Sequence, residues 1–287
     1  MKWQGGRQSD NFEDRRGMSS GGKVAIGGIG GVIVLLIGLF MGGDPAQLLQ
    51  QMGANQEVTT GEVRELSAEE QKLTAFSRVV LQSTEDVWGK LFREQANADY
   101  PPTKLVVYDR NTPTDGCGMG QSAYGPFYCP ADQTIYMDLT FNDELKQRFG
   151  AKGEFALAYV IAHEVGHHIQ NILGVLNKTN AMRAKMSERQ YNKISVMTEL
   201  QADFYAGVWA HYASKNSDIE LSYDDIVDGM QAAAAVGDDH IQEQAQGHSN
   251  PESFTHGTSQ QRTAWFKKGY DTGDLNAGNT FDDRSLQ

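Results

Sequence analysis

Cysteine is scarce: Cys117 and Cys129 are the only two in 287 residues. That is too few for a closed tetrahedral metal site made of thiolates, which takes four protein ligands. An excess of cations is missing as well. Against 25 Lys and Arg stand 37 Asp and Glu, a formal net charge of -12, so nucleic acid and anionic headgroups would be repelled by most of the surface. No internal repeat is visible, which leaves no basis for a solenoid. Long hydrophobic runs are reduced to one, so several membrane passes are excluded.

That single run, residues 24–43, reads VAIGGIGGVIVLLIGLFMGG and carries no charge. It has the length a helix needs to cross the hydrocarbon core of a bilayer. It predicts a transmembrane helix, with Gly27 and Gly31, and Gly38 and Gly42, spaced for a close helix pair and hence for a homodimer. Residues 1–43 hold Lys2, Arg7, Arg15, Arg16 and Lys23 against Asp10, Glu13 and Asp14, a net of +2 that leaves -14 for the remainder. The positive-inside rule then predicts a cytoplasmic tail over 1–23, an inner-membrane anchor over 24–43, a linker over 44–66 and an exported, periplasmic body over 67–287. In that oxidising compartment Cys117 and Cys129 are expected to pair as a structural disulfide.

The body has a legible pattern. Ser67 with Glu70 forms a capping box, followed by Leu73, Phe76, Val80, Val87, Trp88 and Leu91 at helical spacing. Strands are predicted at 104–108 and 133–139, flanking the cysteine loop. Helices are predicted at 142–149, 154–173, 179–214, 223–236 and 259–268, punctuated by Gly150, Gly153, Gly174 and Gly237. The fold class is α+β, mostly helical with a small sheet.

Within 154–173 lies HEVGHHIQN, starting at His163. On a helix, His163 and His167 stand one above the other, and Glu164 beside them can reach a metal-bound water. Two imidazoles need a third ligand that leaves one coordination position open, and Glu199 in TELQADFYAG can supply it. Asp203, one turn later, is placed to accept the second ring N–H of a ligand histidine. The site so composed is expected to hold one Zn²⁺ per chain. His168 points about 100° away from its neighbour and is read as structural.

The chain resembles the gluzincins in combining HExxH with a Glu-x-x-x-Asp helix. It is similar above all to the bacterial neutral zinc metallopeptidases, the YpfJ-like membrane proteins. The stretches carrying this are MKWQGGRQSDNFEDRRG, CGMGQSAYGPFYCPADQTIYMD, HEVGHHIQN, ELQADFYAG and SFTHGTSQQRTAWFKKG. The resemblance implies a zincin-like fold and peptide-bond hydrolysis, with Glu164 as general base. THGTSQQR resembles a threonine-histidine motif of membrane gluzincins, in which the histidine stabilises the transition state and an arginine follows six residues later; here these are His256 and Arg262, the latter an anchor for the loop. Gly257 stands where those enzymes usually have proline, and Tyr205 is a less favoured donor. His211, His240 and His248 are expected at the surface or at caps.

The resulting expectation is a membrane-anchored zinc endopeptidase acting on peptides or unfolded segments outside the membrane, held as an added strand on the edge of 133–139. Two alternatives share the motif. One is an inactive zinc-containing scaffold or peptide clamp of the cell envelope, the other a zinc hydrolase of cell-wall amides. No nucleic-acid partner is expected.

Overall fold

The structure is a computed structural model, and it describes residues 1–17, 65–147, 154–215 and 218–286. One compact unit comprises Met1–Asp14 and Leu66–Gln287; Arg15–Glu65 forms another. The expected membrane span and nearly all of the linker lie outside the described residues. Among the described residues no helix is long and apolar enough to cross a membrane.

In chain order the elements are β1 (Phe12–Asp14), α1 (Ala68–Leu91), β2 (Lys104–Val107), β3 (Asn111–Pro113), β4 (Met119–Gln121), β5 (Phe127–Cys129), β6 (Thr134–Met137) and α2 (Phe141–Gln147). Then follow α3 (Phe155–Ile172), α4 (Val175–Arg183), α5 (Glu188–Ala213), α6 (Tyr223–Ala235), α7 (Asp238–Gln246) and α8 (Ser259–Thr272). The mostly helical α+β class is as expected. The Ser67–Glu70 capping box is formed in full and starts a single long α1.

The sheet has the order β1-β2-β6-β5. β1 and β2 are parallel, as are β2 and β6, while β5 runs antiparallel to β6. Its two inner strands match the expected segments, but β6 is paired on both sides and has no free edge for a substrate. The outer position beyond it belongs to β5, which ends at Cys129. Cys129 is disulfide-bonded to Cys117, as expected.

The N-terminal segment Met1–Asp14 is packed into the body. Phe12 pairs with Leu105, Glu13 with Val106 and Asp14 with Val107. Trp3 is buried and stands edge-on to Phe76 with centroids 5.3 Å apart. Met1–Asp14 and Leu66–Gln287 thus form one compact unit, joined through the pairing of β1 with β2.

The predicted helix 179–214 is two helices. The chain breaks before Ser187, whose side chain caps α5 in a box with Gln190. α7, with Asp238 and Asp239 in its first turn, is an additional helix. α5 and α8 cross at backbone contact: a Cβ on Gly207 would lie 2.0 Å from Phe266 O, and one on Gly269 would lie 2.1 Å from Phe204 O. Those two glycines let α8 approach closely enough to deliver Arg262 to the centre of the site.

Candidate metal centre

The helix α3 is apolar over most of its circumference, with Phe155, Ala158, Tyr159, Ala162, Val165 and Ile169 all buried. Burial of this kind fixes the helix against α5, where Gly166 takes the closest approach: a Cβ there would meet Ala202 O at 2.8 Å. His163 and His167 thus face Glu199 and Asp203 across one helix pair.

Each imidazole is oriented by its far nitrogen. His163 Nδ1 is 2.8 Å from Asp203 Oδ1, and His167 Nδ1 is 2.9 Å from Gln170 Oε1. Both Nδ1 atoms act as N–H donors there, leaving both Nε2 lone pairs for the space between the helices. His163 Nε2 lies 3.2 Å from Glu199 Oε2, and His167 Nε2 lies 3.5 Å from Glu199 Oε1. Ligand atoms of the three residues all fall within 4.8 Å of one another. A tetrahedral zinc ion with bonds of about 2.0–2.1 Å sets its ligand atoms roughly 3.3 Å apart. The donor set, tautomers and spacing therefore fit zinc.

Glu164 is buried beside the imidazoles, and no described donor hydrogen-bonds to it; burial pushes its carboxyl pKa up. Burial also works against the charged form of Glu199, yet His167 and His163 hold its carboxyl well below the usual range. Asp203 is completely buried. Burial raises its pKa, but Arg262 and His163 bring it down to about 2. Arg262 donates from Nε to Asp203 Oδ2 at 2.8 Å, from Nη2 to Oδ1 at 3.0 Å and from Nη1 to Val236 O at 3.1 Å. It anchors the carboxylate behind the histidine as well as the chain at Val236, a larger role than the loop anchor expected from the sequence.

His163, Glu164, His167, Glu199 and Arg262 line a cleft of about 630 Å³. One wall is the stretch through Tyr124, Pro126, Phe127 and Tyr128 into β5. Leu176, Thr179, Tyr191 and Ser195 of α4 and α5 form another. His256 enters the same cleft. Its Nδ1 is 3.1 Å from Asp238 Oδ1. Asp238 Oδ2 accepts the backbone N–H groups of Thr255, His256 and Gly257 at 2.7, 2.6 and 3.0 Å. Gly257 has φ of +95°, which a proline ring forbids; the loop conformation requires the glycine found there.

The other histidines lie outside the cleft. His168 Nδ1 accepts from Tyr128 OH at 2.9 Å, and its Nε2 donates to Pro101 O at 2.7 Å. His211 donates to Tyr270 O, His240 contacts Gln244 and His248 contacts Gln246 O. Tyr205 does not line the cleft; its ring packs edge-on against Trp88. It is thereby removed as a donor. Sequence reasoning missed Tyr159, Gln170 and Asp238. Tyr159 lies one turn before His163 on the same helical face, and the two acids after Gly237 mark a helix start, so two of the three left a signal.

Residues 1–281 match the family described as "Putative neutral zinc metallopeptidase". The chain belongs to this family. It is 45% identical over 290 residues to the uncharacterized protein YpfJ of Escherichia coli K12, covering 98% of this chain and 99% of that one. An uncharacterized protein of Mycobacterium tuberculosis is 50% identical over 175 residues, 58% of each chain. No solved structure matches.

Proposed function

We propose that the protein is a zinc-dependent peptidase in which His163, His167 and Glu199 hold the metal. The observation that carries this reading is the convergence of two oriented Nε2 atoms on Glu199, in a cleft shared with Glu164, which has no hydrogen-bond donor among the described residues. Zinc bound there supplies Lewis-acid polarisation of a carbonyl and acidifies a water. Glu164, destabilised as an anion by burial, takes the proton from the attacking water and returns it to the departing amine. Burial works against the charge of His256, but Asp238, which accepts its Nδ1–H, raises its pKa, and in the imidazolium form Nε2–H faces the negative charge that develops on the carbonyl oxygen.

The substrate side of the proposal is an extended peptide laid along β5. Its position at the sheet edge, with Phe127 and Tyr128 lining the cleft, supports main-chain pairing that reads little sequence. Internal bonds in unfolded segments fit this geometry, hence endopeptidase cleavage. The Cys117–Cys129 bond supports an oxidising compartment for the whole unit, residues 1–14 included. Contact with a bilayer through the uncharged run 24–43 belongs to this reading.

A Glu164→Gln variant of the full chain separates chemistry from metal binding. It should keep its zinc and lose on the order of 10²–10⁴ in kcat on an unfolded protein substrate. Equal activity in variant and wild type would remove Glu164, and with it the proposed reaction.

A further inference from the structure

The hydroxyl of Tyr159 sits behind the metal site, at the meeting point of three charged or ionisable groups. It donates to Asp203 Oδ1 and accepts from Arg262 Nη2 at 3.1 Å. Asp203 Oδ1 is the same atom that receives His163 Nδ1–H at 2.8 Å. Tyr159 and Asp203 are both buried, and the tyrosine ring is fixed edge-on to Phe266 with centroids 5.5 Å apart.

A phenylalanine would fill the same core volume and pack on Phe266 equally well. A hydroxyl in that place costs desolvation free energy unless it is paired, and here it is paired only within the network that orients His163. Arg262 grips both carboxylate oxygens, but a guanidinium fork defines the carboxylate plane without choosing how far Oδ1 leans towards α3. Tyr159 is on α3, one turn from His163, so its hydroxyl ties Oδ1 to the helix that carries the ligand.

We propose that Tyr159 is a positioning residue for the metal site: through Asp203 Oδ1 it holds the His163 ring so that Nε2 faces Glu199, and it thereby raises metal affinity. This rests on the zinc reading of the site and is independent of whether the bound metal cleaves peptides. Groups that orient metal-ligating histidines at one remove contribute about 10–100-fold in affinity.

The test is zinc affinity, measured by competition with a chromophoric chelator, for the full chain, Tyr159→Phe, Asp203→Asn and the double variant. Expected is a zinc affinity about tenfold or more weaker in Tyr159→Phe, and no further weakening when the same change is added to Asp203→Asn. A Tyr159→Phe affinity within about twofold of wild type overturns the proposal. So does a loss of the same size in both backgrounds, because the hydroxyl would then act without Asp203. If Tyr159→Phe does not fold, 3,5-difluorotyrosine at the same position alters donor strength with little change of shape; unchanged zinc affinity there again overturns the role. A wild-type chain that takes up no zinc removes the metal reading itself, an outcome distinct from all of these.

Discussion

Trp3 donates from its indole Nε1 to Glu154 Oε2 at 2.8 Å, so the N-terminal segment is fastened to the residue that begins the helix of His163, Glu164 and His167. Lys72 of α1 holds the other oxygen of Glu154 at 2.5 Å. The start of α3 is thus clamped between two segments far from it in sequence. Burial of Glu154 works against its charge, but Lys72 and Trp3 hold its carboxyl below the usual range.

Replacing Trp3 with Ala in the full chain should therefore lower stability by about 3–5 kcal/mol, the usual range for removing a buried Trp. Urea denaturation followed by far-UV circular dichroism measures it. A change below about 1 kcal/mol would mean that the N-terminal segment is an ornament on an independently stable body.

The pairing of β1 with β2 makes a topological prediction. Cysteines placed at Gln4 and at Lys178, both exposed, should be labelled together or protected together when intact cells producing the protein are treated with a membrane-impermeant thiol reagent. Labelling of one without the other would show that the two segments face different compartments, and the sheet would then have to be wrong.

Much of this was readable in the sequence where the physics is local. The α3 stripe, the Ser67 box and the HEVGH spacing each follow from helical periodicity within a few residues, and Glu199 with Asp203 follows from what two histidines lack as a ligand set. Two of the failures are nonlocal. β1 is three residues long and its charges resemble those of a tail, so only its partner Leu105–Val107 identifies it as a strand. That 133–139 is an inner strand depends on β5, three residues of the disulfide loop. The break between α4 and α5 was legible in Ser187 and Gln190, yet an uninterrupted helical composition masked it.

Asp238 gives a prediction with a defined pH dependence. Burial raises its pKa, but His256 and the loop amides outweigh burial and leave it below its ordinary value of 3.8. A carboxyl depressed on folding stabilises the fold above its unfolded pKa and loses that contribution as pH falls through the folded value. Asp238→Asn should therefore cost about 1–3 kcal/mol at pH 7, with the gap to wild type closing below about pH 4. Urea midpoints between pH 3 and 7 measure it, and a gap that stays constant with pH would contradict the ion-pair account. Zinc content should be unchanged, since Asp238 contacts none of the three ligands.

The central claim is that His163, His167 and Glu199 form one open three-ligand metal site. Zinc content of the purified full chain, beside Glu199→Ala, tests it most directly. The account predicts one zinc per chain in the wild type and an affinity lower by tenfold or more in the variant. A folded wild-type chain that holds no zinc when supplied with it, or a variant that holds zinc equally well, would contradict it.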